Sequence, residues 1–312
     1  MITLLRLIAN GLAPLTLLGA IAAYFAPGLF LPFKDVYLWL FAATMFSLGV
    51  VLEPADLRET LTRPRDILLG VLTQFTVMPL LGFAAASLSG LPPALALGII
   101  IVGCAPGAMA SNVIVYLAGG AVAFSIALTT LATLLSPLLT PALVKLLGAA
   151  FLHIEFWPMV ETIIMTVVMP LVAGMGLRMV LGPQLAFAKE LAPAVASVAI
   201  VIICSYAVAA NQARLASVGV EIFVLVVVVN ALGYLLGWLA GRLFGFDRRH
   251  KLTLAIEIGM QNAGLGVALA LKHFSPETAL PGALFAVWCI ITSAGAAAYY
   301  RRTQHRSAVV TP

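Results

Sequence analysis

The chain has 312 residues, of which 62% are hydrophobic and 9% charged, with a net charge of +5 and a mean hydropathy of +1.11. A water-soluble domain carries about 25% charged residues, so this composition excludes a soluble enzyme or nucleic-acid-binding domain and places the chain in a bilayer. The basic residues sit between apolar runs rather than in a block or on one helix face, which is the distribution of topogenic charge.

Ten apolar stretches of spanning length follow in order, near 8–27, 36–52, 66–89, 92–118, 121–147, 157–181, 190–211, 218–243, 250–272 and 280–300. The first, Arg6 followed by a run ending in AIAAYFA, has the outline of a secretory signal. Residues 12–30 are long for such a segment, contain Pro14 and precede many more spans, so a retained first helix is expected. The third span holds Gln74. The fourth, LALGIIIVGCAPGAMASNVIVYLA, is interrupted by Gly103, Pro106 and Gly107 and followed by Ser111-Asn112. On the fifth, Ser125 and Thr129 are spaced i, i+4 and share one helix face. The eighth carries Asn230. The ninth, LTLAIEIGMQNAGLGVALAL, places Glu257, Gln261 and Asn262 among Gly259, Gly264 and Gly266.

Lys and Arg set the orientation. With the N-terminus inside, 13 of the 17 fall on inner segments, and only Lys34, Lys145, Arg214 and Lys272 on outer loops. That bias predicts ten spans with both termini cytoplasmic. Pairs of helix-bending or polar residues recur at a fixed offset: Pro14 and Pro170, and Gln74 and Asn230, are 156 residues apart, and Asn112 and Asn262 are 150 apart. A duplicated five-span unit follows, inverted in the membrane because five is odd. The first repeat covers 1–147 and the second 148–303, with a cytoplasmic tail at 304–312. Two Gly/Pro-interrupted helices at corresponding positions point to a transport site. Unwound backbone at that depth must be satisfied by protein, water or ions. Its half-helix N-termini suit an anion, and its freed carbonyls suit a hard cation.

Glu257 is the one acid in the middle of an apolar segment, and an intramembrane carboxylate is costly enough to mark function. It either carries a proton or meets a cation. The polar residues of the spans offer oxygen and amide groups without a positive charge, a set that suits a monovalent cation better than Ca²⁺, which recruits several carboxylates. Ser125 and Thr129 also have the ordinary alternative of bonding to their own helix carbonyls, and Gln74 and Asn230 that of interhelical packing. Hydrolytic chemistry needs a second acid, a His base or a metal set, whereas His153, His250, His273 and His305 map to loops or the tail, away from Glu257. The chain is therefore read as no enzyme. The three cysteines, Cys104, Cys204 and Cys289, lie in apolar segments with no metal-site spacing.

GCAPGAMASNVIVYLAGG, ALTTLATLLSPLLTPAL, LAIEIGMQNAGLGVALA and PGALFAVW resemble the bile acid:sodium symporter family, in particular its bacterial ten-helix members. The resemblance implies an all-α polytopic fold. A panel domain would hold spans 1, 2, 6 and 7, and a core domain spans 3–5 and 8–10, in which broken spans 4 and 9 cross. It implies one sodium site at Ser111, Asn112, Ser125, Thr129 and Glu257. A second would use Gln74, Glu257 and Gln261 with backbone oxygens near Ile258 and Met260. Substrate would meet Ala108, Met109, Asn262, Cys289 and Ile290. Similar bacterial members read GGTASN and VWHN where this chain has Gly107-Ala108-Met109-Ala110-Ser111-Asn112 and Val287-Trp288-Cys289-Ile290. The loss of hydrogen-bonding groups there implies a less hydroxylated, more apolar organic anion than relatives take. The function so implied is sodium-coupled symport of an organic anion, bile acid-like or a small carboxylate, in the inner membrane of a bacterium, with two Na⁺ as coupling ions and no nucleic-acid partner. Proton coupling through Glu257 is the nearest alternative, and an intramembrane enzyme a remote one.

Overall fold

The computed structural model describes Leu5 and residues 12–52, 63–182 and 186–309; Arg6, Arg58 and residues 8–11 of the first expected span lie outside them. The described residues form helices: α1 (Leu12–Phe25), α2 (Tyr37–Val51), α3 (Pro64–Ser89), α4 (Pro93–Cys104), α5 (Ser111–Ala118), α6 (Val122–Gly148), α7 (Phe156–Ile163), α8 (Met169–Leu181), α9 (Ala186–Ala209), α10 (Gln212–Leu243), α11 (Arg248–Gly259), α12 (Ala263–His273) and α13 (Pro276–Val309). Helices predominate because each one satisfies its backbone internally, which lipid cannot do for it. Five helical stretches, at 64–89, 122–148, 156–181, 191–209 and 219–243, are long and apolar enough to cross a membrane. Large apolar side chains point outward, Leu88 at 86% exposure and Leu243 at 83%, as a lipid-facing surface requires.

The fourth and ninth expected spans are each two helices. Residues 105–110 separate α4 from α5, and residues 260–262 separate α11 from α12. Gly119, at φ 74°, closes α5 in the left-handed conformation that a side chain would strain. The sixth span runs through a π-helical turn, Ile164–Val168, between α7 and α8. Pro170 lacks the N–H that would bond Thr166, and a π turn is one way a helix absorbs that loss. Pro14, its expected repeat mate, lies in α1.

Two boundaries differ from expectation. α10 begins at Gln212 rather than near 218, and α13 continues to Val309, past the expected end of the tenth span and into the expected tail. Apolar length marks where lipid ends, not where helical hydrogen bonding ends.

α2 packs on both α8 and α9, with α1 against α9. Gly49 of α2 and Gly174 of α8 make that contact a backbone one. A Cβ on Gly49 would sit 2.1 Å from the Leu171 carbonyl oxygen, and one on Gly174 2.2 Å from that of Phe46. The remaining helices form a second set, with α3 on α4, α10 on α11, and α13 on both α4 and α12. α6 lies against α3, α4, α5 and α11, and so flanks both breaks.

Candidate functional site

The two breaks meet each other. The amide of Ala108 donates to the Met260 carbonyl (2.9 Å), and that of Asn262 to the Pro106 carbonyl (2.8 Å), so Gly107 and Gln261 form a short antiparallel bridge. Backbone groups freed by unwinding thus find each other instead of lipid. Gly107 keeps this crossing close: a Cβ there would come within 3.0 Å of Glu257 Oε2. Two side-chain amides hold the outgoing strands. Gln74 of α3 donates to the Ala105 carbonyl (3.1 Å), and Asn230 of α10 to the Gly259 carbonyl (2.9 Å).

Glu257 is 1% exposed at the end of α11. Ser111, in the first turn of α5, donates to its Oε1 at 2.5 Å, and Ser125 of α6 donates to the same oxygen. Thr129 lies 3.1 Å from Oε2. The Asn112 amide oxygen completes the group, 2.7 Å from the Ser125 hydroxyl and 3.3 Å from that of Thr129. Thr129 also makes the helix back-bond, to the Ser125 carbonyl at 2.5 Å. All five residues of the first expected sodium set are therefore in mutual contact, although Ser111 and Glu257 are 146 residues apart. These oxygens make six contacts, yet the three hydroxyls supply three hydrogens. The cluster is rich in oxygen and short of donors.

The second expected set also comes together but has the opposite balance. Gln74 Nε2 donates to Gln261 Oε1 at 2.7 Å, Gln261 Nε2 to the Ile258 carbonyl at 2.6 Å, and the Met260 carbonyl already accepts the Ala108 amide. The Gln261, Ile258 and Met260 oxygens of this set are engaged by N–H donors, and a cation that used them needs the amides to turn.

The expected substrate positions are placed as follows. Ala108 and Met109 lie in the first break, with Met109 9% exposed. Asn262, also 9% exposed, caps α12 by accepting from the Leu265 amide at 3.1 Å. Cys289 is buried on α13, in an apolar cluster with Phe285, Ala286 and Ile258, and Ile290 beside it is half-buried. None of the three cysteines is in a disulfide. Among the described residues no three His, Cys, Asp or Glu side chains are grouped.

Sequence reasoning did not find the bracing around Asn230. Thr292 of α13 donates to its amide oxygen at 2.9 Å, and the Tyr234 hydroxyl lies 3.3 Å from Thr292 and 3.4 Å from the Cys289 carbonyl. The offset to Gln74 was a signal for Asn230; a threonine near the end of an apolar run gives none. Nor did it find the tie at the other end of α11. There Thr253 accepts the Ala121 amide at 2.8 Å, and Arg249 donates to the Gly119 carbonyl at 3.1 Å. Asp247 caps this helix through the amides of His250 and Arg249, and these bonds, the His250 one foremost, hold its carboxyl below the ordinary range.

Comparison with known proteins gives a consistent set. The family profile described as the sodium bile acid symporter family matches residues 38–219. A Bacillus subtilis protein described as the uncharacterized sodium-dependent transporter YocS is 38% identical over 283 residues, covering 91% of this chain and 88% of its own length. The Arabidopsis thaliana probable sodium/metabolite cotransporter BASS1, chloroplastic, is 34% identical over 261 residues, 83% of this chain and 65% of the plant protein. The ileal sodium/bile acid cotransporter of Oryctolagus cuniculus is 30% identical over 247 residues, 76% of this chain and 70% of its own.

Proposed function

The chain belongs to the sodium bile acid symporter family, a family of sodium-dependent transporters, and on that premise we propose that it carries an organic anion across the membrane in symport with Na⁺. The observation that carries the reading is the donor deficit around Glu257. Six oxygen–oxygen contacts share three hydroxyl hydrogens, and protonating the carboxylate would add only one. A monovalent cation among those oxygens relieves the repulsion; a proton leaves most of it. Ser111, Asn112, Ser125, Thr129 and Glu257 are thus the first Na⁺ site. The second is Gln74, Gln261 and Glu257 with the Ile258 and Met260 carbonyls. Because its Gln261, Ile258 and Met260 oxygens are engaged, it fills after the first, once the amides turn.

The membrane architecture proposed with this function is ten spans in two inverted five-helix repeats, 1–147 and 148–303, with both termini cytoplasmic in a bacterial inner membrane and residues 304–312 as the tail. The Gln74 and Asn230 bonds to the two breaks support the repeat, and the packing of α1 on α9 and of α8 and α9 on α2 supports a panel domain. Ions at the crossover fix the break where Ala108, Met109 and Asn262 stand, the anion binds between core and panel with Cys289 and Ile290 on its wall, and the core moves against the panel to release it. Apolar Cys289 and Ile290 favour a sparsely hydroxylated anion. Coupling requires that Na⁺ and anion stabilise the same state, each raising affinity for the other.

The test is uptake into proteoliposomes of a panel of organic anions, from bile acids to small carboxylates, under an inward Na⁺ gradient at fixed pH and under a proton gradient without Na⁺. Uptake of an apolar anion driven by Na⁺ alone is expected. Uptake driven by the proton gradient alone, or preference for a polyhydroxylated acid, contradicts the coupling ion or the cargo respectively.

A further inference from the structure

The second break leaves the carbonyl of Gly259 over. In a continuous helix it would accept the Ala263 amide, which here turns to the Gln261 carbonyl at 2.7 Å. The side-chain amide of Asn230 takes that place from α10, at 2.9 Å. The position matters because Gly259 lies between Ile258 and Met260, whose carbonyls are the backbone ligands read into the second Na⁺ site. Gln74 does the same work at the first break, yet the two amides are held from different sides. Gln74 gives one hydrogen to the Ala105 carbonyl at 3.1 Å and another to Gln261 Oε1 at 2.7 Å, so its orientation is fixed by the ion site itself. Asn230 is fixed from outside that site: its Oδ1 accepts from Thr292 of α13 at 2.9 Å.

Thr292 has one hydroxyl hydrogen and a choice of acceptors. The carbonyls of Trp288 and Cys289 stand at 3.0 and 3.2 Å. A bond to the i−4 carbonyl is the ordinary course of a helical threonine, and Thr16, Thr44 and Thr73 take it here. Where the Thr292 hydrogen points decides which way the Asn230 amide faces. Directed at Asn230, it holds Oδ1 on the α13 side and leaves Nδ2 for Gly259. Turned to Trp288, it offers the amide only an oxygen, and an amide that rotates to donate there sets its own oxygen against the Gly259 carbonyl. Tyr234, one turn along α10, joins the same two points by a second path. Its hydroxyl lies 3.3 Å from that of Thr292 and 3.4 Å from the Cys289 carbonyl. Its ring backs Gly259 so closely that a Cβ there would come within 2.4 Å of it. One turn before Thr292, α13 carries Cys289 and Ile290, the wall read as facing the anion.

We propose that Thr292 is the positioning residue of the second break: its hydroxyl sets the Asn230 amide on the Gly259 carbonyl and so ties the Cys289–Ile290 wall of α13 to the backbone ligands of the second Na⁺ site. A shift of α13 then reaches the ion site through two side chains, which is a physical path for reciprocal coupling. The inference rests on the reading of that site and that wall. Thr292→Val, which keeps the shape and removes the hydroxyl, tests it beside Thr292→Ser, which restores the hydroxyl, both in the full-length protein. Amide hydrogen exchange across residues 257–264 is measured in choline chloride, and thermal stabilisation is titrated with NaCl. Thr292→Val is expected to speed exchange at the break but not in α2 and α9. It should also raise the Na⁺ concentration for half-maximal stabilisation roughly threefold to tenfold, the size of one net hydrogen bond, with Thr292→Ser close to wild type in both readings. Exchange at the wild-type rate, an equal rise in α2 and α9, or a serine variant that behaves like the valine one overturns the assignment. A loosened break with an unchanged Na⁺ titration overturns its link to the ion site. Should Thr292→Val fail to fold, Thr292→Ala carries the same expectation. A wild type that NaCl does not stabilise counts against the Na⁺ reading, while the exchange measurement, made without Na⁺, still decides the role of Thr292.

Discussion

Replacing Glu257 by Gln keeps the shape of the side chain and removes its charge while adding two N–H donors. Both changes act against a cation, since the cage gains hydrogens and loses its anion. Glu257→Gln is expected to abolish the NaCl-dependent rise in melting temperature while leaving the protein folded in choline chloride; an undiminished rise would reject Glu257 as a ligand. Ser125 touches both the carboxylate and the Asn112 amide oxygen, so Ser125→Ala removes one ligand and leaves the acid. A hydrogen bond to a charged group contributes about 1.5–3 kcal/mol, and the Na⁺ concentration for half-maximal stabilisation should rise roughly tenfold or more. The acid, the amides and the spacing of Ser125 and Thr129 were legible in the chain, because each is conspicuous in an apolar run. The donor deficit was not. It depends on which oxygen faces which, and that is a property of three helices meeting.

At the scale of the element, the close crossing of α2 and α8 makes a sharp prediction. Gly174→Ala forces a methyl against the Phe46 carbonyl, where backbone must move. Overpacking of this kind costs about 1–3 kcal/mol, so Gly174→Ala should lower the melting temperature, whereas Gly176→Ala, with open space at its Cβ, should not. The start of α11 gives a pH dependence. Asp247 titrates lower in the folded state than in the unfolded one because the His250 and Arg249 amides bond its charged form. Its contribution is therefore present above the unfolded carboxyl value, near pH 4, and lost as pH falls through the folded one. The difference in melting temperature between wild type and Asp247→Asn should shrink as the pH is lowered below about 4; a difference that grows there has the wrong sign.

At the scale of the molecule, the proposed pair of Na⁺ with one monovalent anion would move one net positive charge inward. Each such charge is worth about 2.3 kcal/mol per 100 mV, so a membrane potential negative inside should accelerate Na⁺-driven uptake, as measured with valinomycin and a K⁺ gradient. Uptake indifferent to the potential would mean an electroneutral stoichiometry. The scheme depends on α6 and α13 in particular, since one flanks both breaks and the other packs on halves of both broken helices.

Composition and hydropathy alone determined that the chain is helical and membrane-embedded, because lipid leaves a backbone few other choices. Local sequence also marked both breaks, since glycine and proline act on their own helix. What only the tertiary structure decided is how the freed groups are satisfied. The bridge between Gly107 and Gln261 and the convergence of Ser111 and Ser125 on the Glu257 carboxylate join residues far apart in the chain. Periodicity records which face of a helix avoids lipid. It does not record what stands opposite that face, and the choice between proton and sodium rests on what does.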